Sequence, residues 1–250
     1  MKRMRKMPFP VGVVLMGLVY LLMFLFPAGV ARLEDAELFS GTVPRPAMEG
    51  ELSGQAQEIP MVYALYRRRV LSGGEELIAE AEETDTAEQA RSLSGTMQKL
   101  TAAGVLPDSC RKAAEAVFDL PSAIAYTGRE NGFVQQSYQG IESSGYVHSV
   151  TMQQQEETGL VAACTITADD SSQPVGEETD SGTILECYRK YLGLDGLTDW
   201  RTAKTEKGGA VGWSMTGQVY LYCTFGEGRF ALGVTSLPEE ELETIAAGLS

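Results

Sequence analysis

The chain has 250 residues, with 20 Lys+Arg, 34 Asp+Glu and a single histidine. Four cations, Lys2, Arg3, Arg5 and Lys6, precede the first apolar block, so the part from Arg32 onward carries 16 cations against 34 anions, a formal net of −18. Such a surface repels polyanions; it argues against nucleic acid as a partner and makes anionic lipid heads and wall polymers poor ones.

Residues 1–8 read as a short basic segment and residues 9–31 as a transmembrane signal-anchor. No charge occurs from Met7 to Ala31, a run of 25 residues whose apolar centre, Val11 to Phe26, is broken only by Gly12, Gly17 and Tyr20. A helix needs roughly 17–25 apolar residues to cross a bilayer core, whereas the apolar part of a signal peptide runs about 7–15. Gly29-Val30-Ala31 has the small-residue spacing of a cleavage site, so release after Ala31 is the alternative. The first cysteine is Cys110, too far away for lipidation. The positive-inside rule keeps the basic end in the cytoplasm and the rest of the chain outside. The expected location is the cell membrane, crossed once, with lipid contacted through residues 9–31.

Residues 32–59 read as a flexible tether, because "SGTVPRPAMEGELSGQAQEIP" is rich in Gly, Pro and Glu and lacks an apolar period. An extracytoplasmic α+β domain is expected over 60–250, helical over about 60–119 and built on a sheet over about 120–250. "MVYALYRRRVLSGG" places Val62, Tyr66 and Val70 one turn apart, and "EELIAEAEE" reads as a short acidic helix. Asp85 and Glu88 have the spacing of a capping box before a helix that buries Leu93, Met97 and Leu100. Asp108 is expected to cap the next helix, with Cys110, Ala113, Ala114, Val117 and Phe118 inward.

Beyond residue 120 the period changes. "AIAYTGRENGFVQQSYQGIESSG" is ambiguous, a strand or two with turns, and "YVHSVTMQQQEETGLVAACTITADD" reads as a hairpin. "TILECYRKYLG" is a helix that aligns Ile184, Cys187, Tyr188 and Tyr191 and stops at Gly193. "GQVYLYCTFGEGRFALGVTSL" is a hairpin expected to send Leu221, Cys223, Phe225, Phe230, Leu232 and Val234 inward and Arg229, Ala231, Gly233 and Thr235 outward. Ser236, Pro238 and Glu239 suggest the capped start of a last helix. Helices first and hairpins after favour an antiparallel sheet of the α+β class, with one crossing helix and a C-terminal helix. No tandem repeat is visible.

The chemistry is sparse. His148 stands alone in a strand, which removes most acid–base and multi-histidine zinc designs. Cys110, Cys164, Cys187 and Cys223 form no C-x-x-C motif; they are either buried thiols or members of one or two disulfides. Ser109 and Lys112 fit S-x-x-K, in which a lysine one turn away deprotonates a serine at a helix start, but no K-T-G or S-x-N accompanies them. "GWSMTG" at 212–217 misses the nucleophile elbow by one residue. Asp169, Asp170, Glu177, Glu178 and Asp180 could offer oxygens to calcium, without the order of a known calcium loop. Arg67-Arg68-Arg69 could grip a phosphate or carboxylate, or merely suit a helix C-terminus.

The expected protein is a membrane-anchored, extracytoplasmic binding or accessory domain of a bacterial envelope. It has no catalytic set and no cofactor, and another membrane or envelope protein would be its partner. A serine hydrolase using Ser109 and Lys112 is the second reading, and a secreted structural protein released after Ala31 is the third.

Overall fold

In the computed structural model, residues 52–72, 81–168, 180–205, 208–226 and 228–248 are described. The basic segment, the apolar block and most of the stretch read as tether lie outside them. The elements in order are α1 (Gly54–Gln57), α2 (Pro60–Ser72), β1 (Ala81–Glu83), α3 (Thr86–Ala102), α4 (Asp108–Phe118), β2 (Ser122–Glu130), β3 (Phe133–Ile141), β4 (Val147–Gln155) and β5 (Val161–Thr167). There follow α5 (Ser181–Tyr191), a 3-10 turn (Leu194–Gly196), β6 (Arg201–Lys204), β7 (Ala210–Ser214), β8 (Val219–Gly226), β9 (Arg229–Ser236) and α6 (Glu239–Gly248).

The class is α+β. The nine strands among the described residues form one antiparallel sheet in the order β1-β2-β3-β4-β5-β9-β8-β7-β6. That order is almost a palindrome. A meander, β2 to β5, follows α4; a second meander, β6 to β9, follows α5; the last strands of the two meet as neighbours. The repeat lies in the topology and not in the residues, so no periodicity betrays it. The meanders begin with a sharp signal: Asn131 and Gly132, both at positive φ (47° and 84°), turn β2 into β3. Asn-Gly suits that two-residue hairpin turn because both central residues must be left-handed.

Helices α3 and α4 cover one face of the first meander. Asp85 Oδ1 accepts from the Glu88 amide at 2.8 Å, so α3 starts where the capping pair was read. On α3, Gln89 donates to the Tyr126 carbonyl at 3.2 Å, and Thr96 accepts from Gln154 at 3.1 Å. Helix α4 lies so close to β3 that a Cβ on Gly140 would stand 2.8 Å from the Val117 carbonyl oxygen. Beside it Tyr138 meets Phe118 edge-on, with centroids 4.9 Å apart. Asp108 is the first residue of α4 and Pro107 occupies the cap, contrary to the sequence expectation.

Helix α5 covers the second meander on the same side of the sheet, through Leu185 and Ile184. Two of its tyrosines also reach across to β5. There the register with β4 slips between Gln153 and Gln154, which leaves Ala162 as the extra residue, and pairing with β9 begins only at Ala163. The buried Tyr188 hydroxyl donates to the Val161 and Ala162 carbonyls (3.0 and 2.8 Å), and the Tyr191 hydroxyl accepts from the Val161 amide at 3.1 Å. A bulge leaves backbone groups outside the ladder; here side chains of another element satisfy them.

Three expectations need correction. Leu52, Ala56 and Ile59, in the stretch read as tether, are buried in the main core, and Gln55 donates to the Gly196 carbonyl at 2.6 Å; folded structure therefore begins before residue 60. Ala81–Glu83, read as part of an acidic helix, is an edge strand paired with β2. Ala231 and Gly233 are buried rather than outward. The reason is α6, which packs on the opposite face of the second meander: Leu242 joins Val211 and Trp213 in a second cluster, bordered by Tyr220 and Tyr222. Tyr222 lies over Gly233, where a Cβ would stand 2.5 Å from its hydroxyl oxygen. Ser236 stays in β9, opposite Val219, and the Pro238 carbonyl accepts the first bonds of α6.

Tyr188→Phe keeps the ring and strands two buried carbonyls. We expect it to cost about 1–3 kcal/mol of stability, read as a lower urea midpoint at unchanged slope; a midpoint equal to that of the parent chain would contradict the role given to the hydroxyl.

Candidate functional site

Ser109 and Lys112 share the exposed first turns of α4. Lys112 Nζ lies 2.9 Å from Asp108 Oδ2, and Arg111 binds the other oxygen of the same carboxylate at 2.6 Å. Hydrogen bonds from Lys112 and Arg111 hold Asp108 below the usual carboxylate range.

Asp180 caps α5. It accepts from the Thr183 amide and hydroxyl, both at 3.1 Å, and from Lys204 Nζ at 2.9 Å. The Lys204 bond, then those from Thr183, lower its pKa. Asp169, Asp170, Glu177 and Glu178 lie outside the described residues. Among those described, no cluster of three or more His, Cys, Asp or Glu side chains could hold a metal.

The other candidates are structural. Ser214, fully buried, donates to Asp199 Oδ1 at 2.5 Å and accepts from the Gly217 amide at 3.0 Å; Asp199 also takes the Thr216 amide at 2.8 Å. Burial pushes the Asp199 pKa up, but the bonds from Ser214 and Thr216 outweigh it and the net shift is downward. "GWSMTG" is thus a strand end followed by a turn stapled to Asp199. His148 is buried in β4 opposite Gly140. Arg68 donates to Gln153 of β4 at 2.6 Å and stacks over Phe133, while Arg69 donates to Gln218 of the β7–β8 turn at 2.6 Å. Arg68 and Arg69 of helix α2 therefore tie it to both meanders.

All four cysteines are free thiols; Cys110, Cys164 and Cys223 are buried and Cys187 is partly so. Cys164 and Cys223 flank Leu232 in one cross-strand row, on the side covered by α4 and its Cys110.

One concavity stands out between α5 and the end of the sheet, and nothing in the sequence reading marked it. Its volume is about 170 Å³. Leu185, Ala210, Gly212 and Leu221 form an apolar floor, Trp200 and Thr202 line the side, and Glu186, Arg189 and Lys204 carry charge at the rim. Gly212 keeps the floor open, since a Cβ there would lie 3.2 Å from Leu185 Cδ2. Trp200 is fixed by its indole N–H on the Leu194 carbonyl at 3.2 Å. Arg189 contacts Glu186 and Asp195 at 3.3 and 3.5 Å, and its buried Nε has no hydrogen-bond partner. Such a pocket can seat an apolar group beside a carboxylate. The signal that could have found it is the pairing of Gly212 with Thr202 under the Leu185 and Arg189 side of α5, which becomes visible only once the strand register is known.

No protein-family model, curated protein or solved structure matches the chain.

Burial pushes the thiols of Cys110, Cys164 and Cys223 up to about 12, from an ordinary 9.0. The unfolded chain releases these protons near pH 9 and the folded one keeps them to about pH 12, so their contribution to stability is whole below pH 9 and lost as pH rises toward 12. We expect Ellman's reagent at pH 8 to reach these three thiols only after denaturation, and urea midpoints to fall from pH 9 upward. Rapid native labelling of Cys223 would overturn its inward facing.

Proposed function

We propose that the chain is a single-pass membrane protein whose acidic α+β domain lies outside the cytoplasm and binds another membrane or envelope protein without catalysing a reaction. The observation that carries the reading is the uncharged run from Met7 to Ala31 behind four cations. It satisfies the length for a membrane span and the charge asymmetry for its direction. Among the described residues no helix is long and apolar enough to cross a membrane, so the apolar run is the segment proposed to do so.

Binding rather than catalysis is supported by how the reactive groups are used. Lys112 is committed to Asp108, Ser214 to Asp199, and the buried thiols are held protonated. The serine hydrolase alternative needs Lys112 as the base for Ser109, and its Nζ lies instead 2.9 Å from Asp108 Oδ2.

Carbonate washing should leave the protein with the membranes, and protease added outside should remove its domain. Recovery of a soluble form beginning at Arg32 would refute the anchor in favour of a cleaved signal. A serine-reactive fluorophosphonate should leave Ser109 unlabelled; stoichiometric labelling lost in Lys112→Ala would restore the hydrolase.

A further inference from the structure

Strand β6 ends the sheet, and among the described residues nothing pairs with its outer edge. A free edge presents a row of unpaired N–H and C=O groups to any incoming strand. β6 reads Arg201-Thr202-Ala203-Lys204, cationic at both ends in a strongly acidic protein. Thr202 and Lys204 face α5, because their partners Gly212 and Ala210 line the floor of the pocket under that helix. The edge and the pocket are therefore adjacent. At about 170 Å³ the pocket has room for roughly six waters of ~30 Å³ each. That is the room one branched or aromatic side chain needs, and less than the ~300 Å³ at which small-molecule sites begin.

We propose that an extended acidic segment of a partner protein adds to β6, continuing the sheet. Residues two apart in a strand share a face, so one apolar side chain of that segment enters the pocket beside Thr202 and a carboxylate two residues along meets Lys204. Main-chain bonds supply the attachment and the pocket supplies the selectivity, as in other cases of strand addition. Lys204 is 74% exposed and, among the described residues, held only by Asp180, itself half exposed, which leaves it accessible to a second carboxylate. Arg189 adds a loosely engaged guanidinium at the same rim. A second copy of the chain fits less well. Antiparallel β6–β6 pairing would set each Arg201 opposite a Lys204, and like charges oppose such pairing. The other free edge, β1, offers nothing larger than Ala81 to the pocket beside Glu83.

The proposal rests on the binding reading and names its partner's chemistry. Its test is fluorescence polarisation of the full-length chain, in detergent micelles, with the labelled peptide Ser-Glu-Thr-Leu-Thr-Ser. Binding should saturate. It should weaken about tenfold or more when the peptide leucine becomes alanine, the loss expected for a buried aliphatic side chain. It should weaken likewise when glutamate and leucine are made adjacent and so fall on opposite faces. Lys204→Glu, an exposed change that leaves the core alone, should reverse the preference toward a peptide with lysine in place of glutamate. Thr202→Trp, at the mouth of the pocket, should abolish the preference for leucine. Equal binding of the ordered and rearranged peptides, or indifference to Lys204→Glu, would overturn the proposal, as would a dimer of the chain that the peptide dissolves. A chain that remains membrane-bound and co-purifies with a partner, yet ignores the peptide, would lose this inference and keep the binding reading.

Discussion

The hydroxyl of Tyr188, between two carbonyls of a bulged strand, is the contact on which the arrangement depends. The bulge leaves Val161 and Ala162 beyond the ladder with β9, in a part of the core that water does not reach. Each polar group stranded there would cost on the order of 1–3 kcal/mol. Tyr188 and Tyr191 remove that penalty from a helix that belongs, by chain order, to the other half of the sheet. They fix the position of α5 across the joint between the meanders. Leu185, Glu186 and Arg189 stand on that same helix, so the wall of the pocket is placed by a hydrogen bond made at its far side.

The distribution of charge follows a similar economy. Positive side chains are scarce, and most have structural duties: Arg68 and Arg69 bridge the meanders, while Arg111 and Lys112 close on Asp108 at the start of α4. The exposed ion pairs among these add little to stability, since solvent screens them. The cations of β6 stand apart because their side chains flank a strand edge that nothing pairs among the described residues.

Much of the fold was legible in the sequence because it rests on local rules. The helical period placed α2, α3, α4 and α5 within a few residues, Asp85 announced a helix start, and the alternation of Leu221 and Cys223 gave one face of β8 correctly. What failed was non-local. The outward facing expected for Ala231 and Gly233 assumed a sheet covered on one side, and a short amphipathic helix at the end of the chain covers the other. Leu52 and Ala56 lie among glycines and prolines whose composition conceals a single buried turn. The β2–β3 hairpin is only an ambiguous signal of one or two strands with turns, although Asn131-Gly132 marks its turn, because the strands on either side mix glutamine, serine and tyrosine instead of alternating cleanly. The pocket was invisible for a deeper reason: its residues come from α5, β6, β7 and β8, and only the register of Thr202 on Gly212 gathers them.

The near-palindromic strand order has a consequence for how the chain reaches this state. Apart from the edge pair β1–β2, which encloses α3 and α4, every strand pair except one joins neighbours through a short turn, and such pairs close quickly. The exception is the seam of β5 with β9, where Cys164 meets Leu232 across the whole second meander. A contact of such span must wait until the intervening chain is ordered, and long-range pairing of this kind slows folding. Until then β5 carries an apolar face with an open ladder beside it. During synthesis the first meander is consequently a half-finished sheet whose growing edge is its most adhesive surface. Its proper mate is β9, the last of the described strands.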